Sequence, residues 1–123
     1  MNKEFVPYEQ ALELKELGFD EKCLAYYWMN IDAIFRKPAL LIEEPFDDEW
    51  CLPTSLYQQA FRWFREKYGL YAWIKVEYEY GGITPTYYIT GKRQEDIAGG
   101  VFDTCEDAEL ACLRKLIEIV KQK

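Results

Sequence analysis

The sequence predicts an α+β protein in which an antiparallel sheet carries helices on one face. Two observations predict this class. The spacing of apolar residues changes from helical to alternating near residue 71 and back to helical near residue 104, and cap residues or glycines mark the flanking helices. The C-terminal half therefore has the order α-β-β-β-α. Because 123 residues is a common length for one domain, we expect a single domain, with an N-terminal helix and β-hairpin in 1–52 and the α-β-β-β-α unit in 53–123.

The N-terminal region is predicted to begin with a short helix. Good helix formers run from Tyr8 to Leu17 after Pro7, and Gly18 can adopt the left-handed conformation that ends a helix. Phe19 would then pack against Leu14 in a Schellman motif. Further along, we expect a strand at 23–29, a turn at 30–32 and a strand at 33–36. Residues 39–42 form another strand or continue the hairpin, and an exposed acidic loop follows at 43–49.

A second helix with an aromatic face is predicted to start near residue 55. Ser55 and Gln58 match a capping box, and Gly69 marks the end of the helix. Apolar side chains at spacings of three and four predict a buried face made of Tyr57, Ala60, Phe61, Phe64 and Tyr68. The residues left toward solvent are Gln58, Arg62, Arg65 and Glu66.

Three strands are predicted to follow. Alternation places Ala72, Ile74, Val76, Tyr78 and Tyr80 on one buried face. Gly81-Gly82 indicates a two-residue hairpin, and Ile83 to Thr90 returns with Tyr87 and Ile89 in register. A turn at 91–93 then leads to a third strand, which we expect near Gly100 to Phe102.

The last helix is predicted to begin after Thr104, whose hydroxyl can cap it. Its apolar residues fill a wide arc, so we expect the helix to contact both the sheet and another helix. The arc consists of Cys105, Ala108, Cys112, Leu113, Leu116, Ile117, Ile119 and Val120.

Composition argues against several functions. A net charge of −7 disfavours nucleic acid and anionic membranes as partners. The chain has no histidine, which is the usual acid–base group near neutral pH and a common metal ligand. Its four cysteines form no C-x-x-C pair, and no apolar stretch reaches the length of a membrane span. We therefore expect a cytoplasmic protein with reduced thiols and without a membrane segment.

The groups that could carry chemistry have simpler structural interpretations. Cys105 lies at a helix start, which favours a thiolate, but Glu106 and Asp107 oppose that effect, so a packed thiol is expected. Five carboxylates in 43–49 lack the glycine of a calcium loop. Glu77 and Glu79 lie on one strand face without a sugar-binding context. We predict no catalytic residue, no metal and no cofactor, and an enzyme is the third hypothesis.

The aromatic content points instead to binding. Aromatic residues make up 17% of the chain, and exposed tyrosine and tryptophan provide rigid contact area. The predicted interaction surface consists of Arg62, Trp63, Arg65, Tyr71 and Trp73. The leading hypothesis is a non-enzymatic protein-interaction module with an unknown protein partner. The alternative is a nucleic-acid-binding protein that uses the basic and aromatic face of the middle helix, and the oligomeric state is left open.

The order of elements in Ser55 to Val120 resembles a double-stranded-RNA-binding domain, and Asp107 to Val120 is similar to the last helix of that family. The resemblance implies the fold of half the chain. The family holds phosphates with lysines at the start of its final helix, where this chain has Thr104, Cys105, Glu106, Asp107 and Glu109. It also has a histidine between its first two strands, where this chain has none. These differences argue against RNA binding.

Three other stretches resemble small uncharacterised proteins of gut bacteria and their phages and mobile elements. They are Pro7 to Glu21, Tyr57 to Leu70 and Glu106 to Val120. The family has no known activity to transfer. The resemblance implies a stand-alone accessory protein and favours a phage origin.

Overall fold

The architecture is α+β, as predicted, with two three-stranded antiparallel sheets and three helices among the residues that the structure describes. The structure is a computed structural model that describes residues 4–29, 36–40, 50–79, 82–92 and 94–122. The helices are α1 (Tyr8–Glu16), α2 (Tyr57–Tyr68) and α3 (Cys105–Lys121), and the strands are β1 (Ala25–Trp28), β2 (Ala39–Leu40), β3 (Cys51–Thr54), β4 (Leu70–Glu79), β5 (Gly82–Gly91) and β6 (Gln94–Ala98). The chain divides into two compact units, Met1–Leu56 and Tyr57–Lys123. The single domain expected from the sequence stays a prediction.

The first unit confirms the predicted end of α1. Gly18 has a φ of 99°, the left-handed conformation that glycine adopts without a steric penalty. The Phe19 N–H donates to the Leu14 carbonyl at 2.9 Å, and the Gly18 N–H donates to the Lys15 carbonyl at 3.0 Å. These two bonds define a Schellman motif, and the side chains of Leu14 and Phe19 are both buried.

The sheet of the first unit has the order β2-β1-β3 and is tied to the N-terminal segment by Val6. The Val6 carbonyl accepts hydrogen bonds from the Tyr27 hydroxyl at 2.9 Å and the Thr54 hydroxyl at 2.6 Å. The Val6 N–H donates to the Ser55 carbonyl at 2.9 Å. Because Val6 is fully buried, these bonds satisfy polar groups that water cannot reach.

Strand β3 was not among the predicted strands, since Pro53 lies just before Ser55 and is also compatible with the entry to a helix. In the structure Pro53 lies opposite Tyr26 in β3, which is at the edge of the sheet. An edge strand tolerates proline because its missing N–H can face away from the ladder.

The strand predicted at 39–42 is seen as the two residues of β2, since 41 and 42 lie outside the described residues. The predicted turn at 30–32 and acidic loop at 43–49 also lie outside them. Of the strand predicted at 33–36, only Arg36 is described, and it is not in a strand.

In the second unit, α2 starts at Tyr57, so the cap predicted at Ser55 is wrong. The main chain of Ser55 is engaged with Val6, and its buried hydroxyl has no hydrogen-bond partner within the described chain. The predicted buried face is confirmed for Tyr57, Ala60, Phe61 and Phe64, while Tyr68 is half-buried.

The second sheet has the order β4-β5-β6, and α2 and α3 pack against it and against each other. Ala72 pairs with Ile89 and Ile74 pairs with Tyr87, so these residues share one face of the hairpin, as predicted. The register itself differs by two residues from the prediction, because a two-residue turn at Gly81-Gly82 would pair Ile74 with Ile89. The ladder continues to the pair Glu79 and Gly82, so Gly82 belongs to β5 rather than to the turn. Residues 80 and 81 lie outside the described part.

Two predictions about this sheet are wrong. Val76 and Tyr78 were expected to be buried, but they are 52% and 79% exposed, because the helices do not cover this end of the long hairpin. The third strand is Gln94–Ala98, while Gly100 and Phe102 lie in the loop that follows. Strand β6 contains Glu95 and Asp96, residue types that are uncommon in strands, but pairing with β5 overrides that preference at a half-exposed sheet edge.

Helix α3 has the predicted N-cap. The Asp107 N–H donates to the Thr104 hydroxyl at 3.1 Å. The apolar arc is largely buried, and α3 contacts β4 and β5 of the sheet. It also contacts α2, which is the second helix that the width of the arc predicted. The prediction that the Cys105 thiol is packed is wrong. Cys105 is exposed, because the first turn of α3 extends beyond the packed region.

The backbone of Gly99 lies directly against the ring of Tyr87. A Cβ added at residue 99 would overlap with three atoms of that ring. The Gly99 N–H also donates to the Tyr87 carbonyl at 2.9 Å, and the ring stacks on Phe102 with 5.9 Å between centroids. The loop between β6 and α3 is therefore closely packed on β5.

Candidate functional site

A groove of about 660 Å³ lies between α2 and β4, entirely within the second unit. It combines polar helix residues with aromatic strand residues. The groove is lined by Gln58, Gln59, Phe61, Arg62, Arg65, Tyr71, Ala72 and Trp73. We call it the α2–β4 groove.

The helix side of the groove is a polar stripe along α2. Gln58, Arg62 and Arg65 are separated by four and three residues, so they lie on one side of the helix. The stripe is about 10 Å long at 1.5 Å per residue. All three side chains are exposed, because α2 buries a different face that includes Ala60 and Phe64.

The strand side presents two aromatic side chains. Tyr71 is 52% exposed and Trp73 is 46% exposed. The Trp73 ring stacks on the Tyr88 ring, with 5.5 Å between centroids and an interplanar angle of 18°. This stacking restrains the indole while about half of it stays accessible.

The groove also runs along the edge of β4. Successive side chains of a strand point to opposite faces, yet Tyr71, Ala72 and Trp73 all line the groove. A cavity in contact with three consecutive residues must lie beside the edge of the strand. Strand β4 is at one end of its sheet, and among the described strands it pairs only with β5. Every second residue of β4 therefore directs its N–H and C=O toward the groove side.

The charge of the lining is positive. Its charged residues are Arg62 and Arg65, and the lining contains no carboxylate among the described side chains. The carboxylate of Glu109 in α3 lies next to it and accepts a hydrogen bond from Gln58. The whole chain has a net charge of −7, so the groove is a local exception to an acidic protein. Guanidinium groups bind carboxylates through paired hydrogen bonds.

Four of the five residues predicted to form an interaction surface come together in this groove: Arg62, Arg65, Tyr71 and Trp73. Trp63 does not line the groove, and the prediction that its side chain is exposed is wrong. It is 6% exposed and packs edge-on against Phe64 at 5.0 Å between centroids. Trp63 is next to Arg62 in the sequence, but adjacent residues on a helix differ by about 100° in direction.

Sequence reasoning did not assign Gln58 or Ala72 to the surface. Gln58 carried a usable signal, since it precedes Arg62 by one helical turn. Ala72 carried none, because its role depends on which strand lies at the edge of the sheet.

The reactive groups of the chain lie outside the groove lining. Burial, with a smaller effect of nearby Glu109, raises the pKa of the Cys112 thiol to about 12. Burial, with a smaller effect of Glu21, raises the pKa of the Cys23 thiol to about 11. Glu77 forms an exposed ion pair with Lys75 at 3.2 Å. No group of three or more His, Cys, Asp or Glu side chains within the described ranges could hold a metal ion.

The fold and the groove place the chain in the α+β class, with an open cleft between a helix and a sheet edge. No protein-family model, curated protein or solved structure matches it. None of the helices in the described part of the chain is long and apolar enough to cross a membrane.

Proposed function

We propose that this protein is a non-enzymatic protein-interaction module and that its partner binds in the α2–β4 groove. The observation that carries the proposal is the convergence of two half-exposed aromatic rings and two arginines on one groove. Tyrosine, tryptophan and arginine are the residues that most often dominate the free energy of protein association.

The aromatic side of the groove favours binding energetically. Full burial of a large apolar side chain contributes about 1.5–3 kcal/mol, so covering the exposed half of Trp73 contributes about 1 kcal/mol. Because the indole is already stacked on Tyr88, it loses little rotamer freedom when a partner covers it. Tyr71 adds a second ring beside it.

The polar side of the groove favours binding over catalysis. The groove presents the guanidinium groups of Arg62 and Arg65 and the amides of Gln58 and Gln59, all of which are hydrogen-bond donors. Such groups can orient a partner, and they are not the usual acid–base groups of enzymes. The lack of enzymatic activity is part of the proposal.

A nucleic-acid-binding function is the second candidate. The stacked pair of Trp73 and Tyr88 beside two arginines is an arrangement that can stack bases. The net charge of −7 opposes the approach of a polyanion, so we place this function second. A likeness to double-stranded-RNA-binding domains, a phage origin and a cytoplasmic location remain proposals from the sequence.

Site-specific photo-crosslinking tests the proposal. A benzoylphenylalanine replaces Gln58 at the groove in one variant and Glu118, which is exposed on α3, in the control. Each full-length variant is irradiated in an extract of the source cells. We expect a discrete crosslinked protein from position 58 that is not formed from position 118 and is lost when Trp73→Ala is added.

Two outcomes would contradict the proposal. Equal crosslinking from both positions would show that the groove has no special role. Crosslinks at position 58 that disappear after nuclease treatment would favour the nucleic-acid function.

A further inference from the structure

We infer that the α2–β4 groove takes an extended acidic segment of the partner, which pairs with the edge of β4 as an added strand. The inference rests on the proposed function and specifies how the partner binds. It is carried by three features: the regularity of the β4 edge, the neighbouring helix wall, and the charge of the lining.

The edge of β4 is the least protected sheet edge among the described strands. β4 is ten residues long, contains no proline, and pairs with β5 in one unbroken register from Leu70 to Glu79. Proteins usually protect such an edge by shortness, proline, irregularity or charge. A long regular edge without proline or a bulge is suited to pairing with another strand.

The other three outer strands are short or irregular within the described residues, whereas β4 is long and regular. Two residues of β2 are described. β3 has Pro53 in its middle and is four residues long. β6 is five residues long and pairs with β5 through a register shift. The contrast within one chain indicates that β4 is kept open for a partner.

Helix α2 provides a wall beside this edge. An added strand would place its main chain against β4 and every second side chain toward Gln58, Arg62 and Arg65. The stripe is about 10 Å long, which matches about three residues of an extended chain at 3.3 Å each. Short segments are therefore sufficient to occupy it.

The charge of the lining selects an acidic segment. Arg62 and Arg65 lie one turn apart, and carboxylates at alternate positions of a strand lie about 7 Å apart on one face. The long arginine side chains can reach both carboxylates. The intervening side chains of the segment would face the opposite way, where apolar groups can contact Tyr71 and Trp73.

The other candidate occupants fit less well. A second copy of this chain would bring its own Arg62 and Arg65 to the same edge, so like charges would face each other. A nucleic acid has no main-chain N–H and C=O pattern to match β4, and the net charge of −7 repels it.

Peptide selection tests the acidic occupant. Random ten-residue peptides are displayed and selected against the full-length protein. We expect enrichment of Asp and Glu at alternate positions, with Val, Ile or Tyr between them. The affinity of a selected peptide, measured by fluorescence anisotropy, should fall at least tenfold in Arg65→Glu and change less than twofold in Arg114→Glu, which makes the same charge change on an exposed residue of α3.

Backbone methylation tests strand addition. The selected peptide is made with N-methyl groups on alternate amides, in the two possible frames. Only one set of amides faces β4, so we expect one frame to lose at least tenfold in affinity while the other retains binding. Equal behaviour of the two frames would overturn strand addition.

The outcomes separate this inference from the proposed function. The inference of an acidic segment would be overturned if the selected peptides were basic. It would also be overturned if no selected peptide lost affinity in Arg65→Glu. A concentration-dependent dimer that dissociates in Arg65→Glu would assign the groove to a second copy. In each case groove-specific crosslinking from position 58 would still support an interaction module.

Discussion

Replacement of Gly99 by alanine should destabilise the second unit through one identifiable clash. The added Cβ would overlap with the Tyr87 ring, which is buried, stacked on Phe102 and held close by the hydrogen bond from the Gly99 N–H. Overpacking of a close-packed core costs about 1–3 kcal/mol, and the restrained ring places Gly99→Ala at the upper end of that range.

A double-mutant cycle isolates this clash. In a Tyr87→Val background the ring is missing, so Gly99→Ala should cost less than about 0.5 kcal/mol, which gives a coupling energy of about 2.5 kcal/mol. The free energy of unfolding is measured by urea denaturation with tryptophan fluorescence and circular dichroism. Equal costs of Gly99→Ala in the two backgrounds would refute the reasoning.

Gly100→Ala is the matched control for the cycle. Gly100 has a φ of 86°, but a Cβ there would meet no atom within 4 Å. The variant should therefore cost about 1 kcal/mol of backbone strain, and the cost should not depend on Tyr87.

Three further outcomes are expected. N-ethylmaleimide should label Cys105 in the native protein much faster than Cys112, because Cys105 is exposed while burial raises the pKa of Cys112 to about 12. Equal labelling rates, measured by mass spectrometry, would contradict the described packing. Burial, with a smaller effect of Glu106, raises the pKa of Glu109 in the folded state. The folded state therefore binds this proton more tightly than the unfolded state does. The free energy of unfolding should fall as the pH rises from the ordinary carboxyl pKa to the raised pKa of Glu109. Glu109→Gln should weaken this pH dependence and stabilise the protein at neutral pH, and urea titrations at several pH values that show no difference would contradict it. Trp73→Ala should weaken the binding of a selected peptide at least fivefold, measured by fluorescence anisotropy. Tyr78→Ala, at the far end of the hairpin, should leave the affinity unchanged.

Local sequence signals were sufficient wherever a short segment determines its own structure. The Schellman motif at Gly18 and the cap at Thr104 each depend on a few adjacent residues, and both are present as predicted. The pairing of β4 with β5 followed from alternation in two strands that are close in sequence, although its register lies two residues from that of a Gly81-Gly82 turn.

Features that depend on distant residues were not predictable. Ser55 looked like a helix cap, but its main chain pairs with Val6, nearly fifty residues away. Strand β6 has an unfavourable local composition and forms because β5 offers an edge. Exposure of Val76 and Tyr78 depends on where the helices end over the sheet, which alternation does not reveal.

In the candidate site, too, the local features were predictable and the long-range arrangement was not. The residue types of the groove were predicted, since Arg62, Arg65, Tyr71 and Trp73 were all chosen for their chemistry. The convergence of these residues beside a strand edge required the three-dimensional arrangement of α2 and β4. Trp63 was included on sequence proximity, and the structure places it in the packed interior.

Hydrogen–deuterium exchange on the full-length protein, with and without a selected peptide, tests the groove most directly. Binding in the α2–β4 groove should slow exchange of the amides in residues 71–75 of β4, with a smaller effect on residues 58–65 of α2, and leave 115–120 of α3 unchanged. Protection confined to the exposed end of the hairpin, at 76–78 and 82–84, would contradict the account, because it would place the partner on Val76, Tyr78 and Ile83 instead.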